Sequence, residues 1–148
     1  MANLVFNTAL GRVASLAALP NANDALIAVP IETTGIVADS VMRDYADLST
    51  LLAGASNEQT TMGRKTLTGA TVTVDNTNDR VAVDVADITW TAPTGNAISA
   101  VVICYDPDTT TGTDSDLIPL TKHDVSLTPD GNNFTLTVAD FFRASSTA

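Results

Sequence analysis

Residues 65–106, KTLTGATVTVDNTNDRVAVDVADITWTAPTGNAISAVVICYD, constrain the fold more than any other part of the chain. Val72 and Val74 alternate with Thr71 and Thr73, and Val81, Val83 and Val85 alternate with Ala82 and Asp84. A period of two is the pattern of a strand with one buried face. Between the two runs, DNTND (75–79) supplies short polar side chains that bond back to nearby backbone and accept turn geometry, so the pair reads as an antiparallel hairpin. The parity then changes, because Val85 is odd while Ile88 and Trp90 are even. One extra residue near Ala86-Asp87, a bulge, returns both sets to the core. After the break at 92–96, Ile98 to Tyr105 is apolar at nearly every position, as in a strand covered on both faces. Something must pack on each side of it.

The flanking segments supply the cover. Val41, Tyr45, Leu48 and Leu52 fall at spacings of four, three and four, with Asp39 or Ser40 placed to cap the start and Gly54 after the end, which predicts an amphipathic helix over 39–53. Packed on one face of the sheet, it satisfies its own apolar stripe and covers one side of the 98–105 strand, leaving the other side to a second sheet. Upstream, 25–31 reads as a strand whose Pro30 lacks a ladder donor and so belongs at an edge or bulge. Downstream, 117–120 and 124–128 are strand-like, with Pro119 again favouring an edge or bulge. PDGN at 129–132 is a tight-reversal signal, so 125–128 and 134–138 are predicted to pair as a hairpin with Phe134, Leu136 and Val138 on one face. The first twenty residues read as an arm, strand-like and then briefly helical, followed by one β-rich domain over 21–148. The expected fold is mainly β (α+β): an antiparallel β-sandwich or partly rolled sheet with one main amphipathic helix packed on it.

Composition removes several function classes. A net charge of −10, with only Arg12, Arg43, Arg64, Lys65, Arg80, Lys122 and Arg143 as scattered basic residues, does not suit a nucleic-acid surface, which needs clustered cations to replace phosphate counterions. The acidity suits a protein held soluble at high local copy number, and simple solubility explains it equally well. A single cysteine, Cys104, allows no internal disulfide or cysteine-rich zinc site, and in the most apolar strand it reads as a small buried hydrophobe. No apolar run approaches the roughly 18 residues of a membrane span. The N-terminus, with Arg12 in the middle of its apolar stretch, is a poor signal peptide, so synthesis in the cytoplasm is expected.

Few groupings suggest chemistry. Asp106, Asp108, Asp114 and Asp116 bracket a threonine-rich loop, an oxygen-rich arrangement a calcium ion could use, yet the ordered spacing of an EF-hand with its distal Glu is missing. A solvated connector or a contact loop is the competing reading. His123, the one histidine, sits beside Asp124, but strand geometry turns the two apart and there is no Gly-x-Ser-x-Gly nucleophile turn. Asp84 and Asp87 flank the expected bulge without aromatic sugar platforms other than Trp90, which itself reads as core with its indole N–H reaching a loop carbonyl. No catalytic residue, metal, cofactor or small-molecule substrate is expected.

The order KTLTG, TVTVD, NDRV and DITWTA, followed by an apolar strand ending in YDPDTTTGTDSDLIPL, resembles a family of small virion structural proteins of tailed phages. The front part, GIVADSVMRDYADLSTLLAG leading into NEQTT, is similar to the actinobacteriophage branch of that family. The resemblance brings no catalytic residues. It implies a capsid decoration (cement) or minor capsid protein on the virion surface, with a tail-tube or fibre-associated component as the alternative and a calcium- or carbohydrate-binding β-sandwich module as a more distant one. The implied partners are the major capsid protein and copies of the chain itself, a homo-oligomer such as a trimer, with neither nucleic acid nor membrane involved. The contact residues expected on this reading lie in the arm (Asn3, Phe6, Arg12), the acidic loop (Asp106, Thr110, Asp116) and the tail (Phe142, Arg143).

Overall fold

The computed structural model describes residues 3–146. Its centre is a five-stranded antiparallel sheet in the order β1-β8-β7-β2-β3, formed by β1 (Leu4–Val5), β2 (Ala25–Glu32), β3 (Lys65–Thr66), β7 (Ile98–Asp106) and β8 (Ile118–Leu127). A three-stranded sheet, β10-β5-β4, joins β4 (Thr71–Asp75), β5 (Arg80–Asp84) and β10 (Phe142–Ser145). A third sheet pairs β6 (Ile88–Trp90) with β9 (Phe134–Leu136). Helices are short: α1 (Val13–Ala17), α2 (Asp39–Met42) and α3 (Leu48–Ala53), with one 3-10 turn at Asn7–Ala9. The mainly β, sandwich-like expectation holds.

The two-sided strand has the cover on each face that its sequence demands. Along β2, Leu26 and Ala28 enter one core while Ala25, Ile27, Val29 and Ile31 enter the other, the alternation a strand buried on both faces must show. Along β7, Val101, Ile103 and Tyr105 face the first core and Ala100, Val102 and Cys104 the second. The first core is closed by Val83, Val85, Ile88 and Trp90 from the two smaller sheets together with Val13 and Ala17 of α1. The second is closed by Phe6, Met42, Leu48 and Leu51. α2 and α3 therefore cover one side, and the two smaller sheets with α1 cover the other.

The expected helix over 39–53 is in fact two, α2 and α3, broken between residues 43 and 47. The buried positions are Met42, Leu48 and Leu51; Val41 is exposed, and Tyr45 and Leu52 are only partly covered. Asp47 starts α3 by accepting the Thr50 N–H at 2.8 Å, a cap that interrupts one long helix. Neither Asp39 nor Ser40 caps α2, whose preceding residue Ala38 offers no side chain for the purpose. At the far end, a Cβ on Gly54 would lie 1.9 Å from the Tyr45 hydroxyl, so a larger residue there must push the tyrosine ring aside.

The 71–84 hairpin forms with Val72 opposite Val83 and Val74 opposite Val81, but β4 is an edge strand and its valines are exposed. The parity change after Val85 is not a bulge within one strand. β5 and β6 belong to different sheets, and the chain crosses between them at 85–87, delivering Val83, Val85, Ile88 and Trp90 to the same core. The hairpin expected across PDGN is absent. β8 pairs with β7 through Asp124 and Leu127, and Phe134–Leu136 pairs not with β8 but with β6. The reversal itself is real, with Gly131 at φ +85° and Asp130 accepting the Asn132 N–H. It carries the chain from one sheet to another rather than back along the same one.

Both strand prolines sit where no ladder donor is lost. Pro30 accepts the Gln59 N–H at 2.9 Å, which shows that its nitrogen also faces away from β7, since both groups of one residue point to the same side of an antiparallel strand. Pro119 lies at the register shift between Ile103 and Cys104 of β7. Residues 3–20 do not stand apart as an arm: Phe6, Ala9, Val13 and Ala17 are core residues, and β1 extends the central sheet against β8; residues 1 and 2 of the expected arm lie outside the described residues.

Candidate functional site

Three of the acidic loop's four carboxylates accept from the loop's own N–H and hydroxyl groups. Asp108 accepts from the Thr110 and Thr111 hydroxyls and from the Thr110 N–H at 2.9 Å, bonds that hold its carboxyl well below the usual range. Asp116 accepts the Thr113 N–H and hydroxyl, each at 2.9 Å, and is lowered for the same reason. Asp106 accepts the Asp108 N–H at 3.1 Å. Asp114 turns away to Arg64, whose guanidinium also grips Glu58 through two bonds of 2.7 and 2.8 Å. The four carboxylates thus serve separate local bonds, and among the described residues no three His, Cys, Asp or Glu side chains are grouped to hold a metal. Thr109 completes the fixing of the loop by donating twice to the Asn23 carbonyl.

The other groups singled out by sequence are structural in the same sense. Asp84 accepts the Val85 N–H and Asp87 the Val138 N–H, so each holds backbone at the crossing between sheets. Trp90 is buried, stacks on Phe134 at 5.8 Å and donates its indole N–H to the Gly63 carbonyl at 2.9 Å, as its sequence context predicts. Burial pushes the Cys104 thiol far up, leaving a small hydrophobe. His123 Nε2 lies 2.9 Å from the Thr121 hydroxyl and its ring meets Phe141 edge-on; burial depresses its pKa to about 4. It lines a cavity of about 270 Å³ with Asn3, Asp124, Phe141 and Asp140, the last a non-glycine residue at φ +100°.

The expected contact residues divide. Asn3 is exposed but uses its side-chain oxygen to accept the Asp124 N–H at 2.8 Å. Arg12, Thr110 and Asp116 are exposed, and Asp106 partly so. Phe6 is a correction: it is fully buried against Met42 and Leu48 and presents nothing to a partner. The tail is a strand rather than a loose end, with Phe142 opposite Val83 and packed on the first core, while Arg143 reaches Asp140. Residues 147 and 148 of that tail lie outside the described residues.

Sequence reading missed two features. Lys122 is completely buried in β8, its ammonium held by Asp39 and Asp124. The sequence signal is slight, a lysine within a strand that mixes apolar and polar residues. The second is the outward display of large apolar side chains at Leu10, Leu19, Val41, Val72 and Val74. For Val72 and Val74 the alternation was legible, but their place on an outermost strand was not. No family model, curated protein or solved structure matches this chain. No helix among the described residues is long and apolar enough to cross a membrane.

Proposed function

We propose that the chain is a structural protein of a tailed-phage particle, a capsid decoration protein bound to the outer surface of the major capsid protein and to copies of itself. The observation that carries this reading is Leu10, 60% exposed, on a segment whose neighbours Phe6 and Ala9 are fully buried. An apolar side chain held out from a rigid base loses little freedom on contact, which favours docking. The sequence resemblance supplies the particle. The acidic loop, knitted by its own aspartates, adds a second preorganised surface element. Contacts of this kind are individually weak, and shell symmetry multiplies them.

The test is location. A map of purified particles at low resolution, with the chain carrying a visible tag, should show copies following the shell lattice. Rings stacked along a tail, or particles lacking the chain, would sink the assignment. Leu10→Asp should lower the copy number per particle while leaving the melting temperature of the free protein within about one degree, because exposed substitutions change stability little.

A further inference from the structure

The outermost strand of the three-stranded sheet is an open template. β5 occupies one side of β4, and among the described residues no strand pairs with the other. Proteins ordinarily block such an edge with lysine, proline or a bulge. Thr71–Val74 has none of these, and its pairing with β5 runs without a register shift. Yet the chain is strongly acidic, so a charge-free edge is not what its composition would supply by default.

The exposed valines lie on the core-facing side. Directly opposed residues of an antiparallel pair project from the same face, and Val72 faces Val83, which is fully buried. Val74 continues a row through Val81 to Ala144, and together these line a shallow surface groove of about 290 Å³. The apolar face of the sheet therefore overhangs the core by one strand, leaving Val74 66% exposed.

We propose that this edge is covered by the same edge of a second copy, β4 running antiparallel to β4 about a two-fold axis normal to the sheet through Thr73. The strand is complementary to itself in that register. Thr73 meets the partner's Thr73, Val72 meets the partner's Val74, and Thr71 meets the partner's Asp75. A two-fold axis normal to the sheet keeps both core-facing sides on one face, so four overhanging valines become a single cluster. Asp75, the one charge at the seam, is already held within its own protomer by Asn78 at 2.7 Å and Arg80 at 3.1 Å. Isologous pairing of this kind closes at two copies, leaving no template for further growth. The inference does not rest on the phage reading, since the purified chain should pair wherever it functions.

The experiment is sedimentation of the full chain over a range of concentrations, combined with cysteine linkage. A monomer–dimer equilibrium is expected. Cys104 is buried, so Thr73→Cys introduces the one accessible thiol, placed about 4.5–5.5 Å (Cβ to Cβ) from its counterpart and within a small adjustment of disulfide reach. Mild oxidation should give a covalent dimer. Thr71→Cys should not link, because the register holds the two copies of residue 71 about 14 Å apart. Val74→Lys should raise the dimer dissociation constant about tenfold or more, with the melting of the monomer unchanged. A chain that stays monomeric at every concentration overturns the proposal. So does a dimer that ignores Val74→Lys, or one that links through residue 71 and not through residue 73.

Discussion

The Lys122 ammonium lies 2.8 Å from Asp39 Oδ1, joining the central sheet to the first turn of α2 beneath the helical layer. Asp124 takes a second bond at 2.7 Å, and the lysine side chain has no exposed surface. A buried cation stripped of one partner is costly, whereas its carboxylates, partly open to water, are less so. The pair Lys122→Met and Asp39→Ala should therefore be non-additive. A double-mutant cycle by urea denaturation should give a coupling of about 1–2 kcal/mol, reduced from deeper ion pairs by the exposure of the carboxylates. Coupling indistinguishable from zero would show that the helix is held by packing alone.

Arg64 ties two loops through Glu58 and Asp114. The bonding is bidentate on both sides, and both hydrogen-bonded carboxylates push the guanidinium pKa up. A lysine carries the charge but cannot form the planar fork. Arg64→Lys should cost about 1 kcal/mol, kept small by solvent screening at this partly exposed site, and should speed amide exchange in residues 106–116 ahead of the sheet. Exchange in the loop unchanged by the substitution would remove Arg64 as its anchor.

What the sequence showed and hid follows from how local each signal is. The strand from Ile98 to Tyr105 was legible because burial on both faces leaves its mark on consecutive residues, and the covering layers follow from that need. Trp90 was legible because a large apolar ring with a single donor has few alternatives. Pairing across PDGN was not, since a turn fixes where the chain reverses but not which strand has a vacant edge. Phe134 instead pairs across from Trp90 and stacks on it, a contact between segments more than forty residues apart that no local signal announces. The helix break at 43–47 was hidden because a stripe through Tyr45 fits the helical period as well as one through Met42. The Asp47 cap decides between them. Lys122 escaped notice because its partner Asp39 is 83 residues away in sequence.

Gly95 is at φ +108°, and a Cβ there would lie 2.5 Å from Nε2 of the buried Gln59. That amide donates to the Asn96 carbonyl and accepts the Thr61 N–H, so displacing it leaves buried groups unsatisfied. Gly131 offers a control, with φ +85° and nothing within 4 Å of the added carbon. Gly131→Ala should cost about 1 kcal/mol for backbone strain alone, whereas Gly95→Ala should cost about 2–4 kcal/mol. Equal losses in chemical denaturation would mean that Gln59 moves aside without penalty.

His123 should make stability depend on pH in a window separate from that of the carboxylates. Burial lowers its pKa to about 4, while the unfolded chain keeps an ordinary histidine near 6.5. Between those values the unfolded state binds the extra proton, so stability is full above about 6.5 and falls as pH drops toward 4. Below that, both states are protonated and this contribution stops changing. Lys122 and Asp124 on the same strand act in opposite senses, and Asp140 and Phe141 face the ring across the cavity. Full linkage over such a window is about 3 kcal/mol, and partial exposure of the ring brings the expected loss to about 1–2 kcal/mol. Asp24, Asp75, Asp108, Asp116 and Asp130, all lowered by hydrogen bonds, lose their contributions only as pH falls below the ordinary carboxylate range. His123→Gln should therefore flatten urea midpoints between pH 6.5 and 4 while leaving the steeper acid limb in place. A slope that survives the substitution would assign the window to another group.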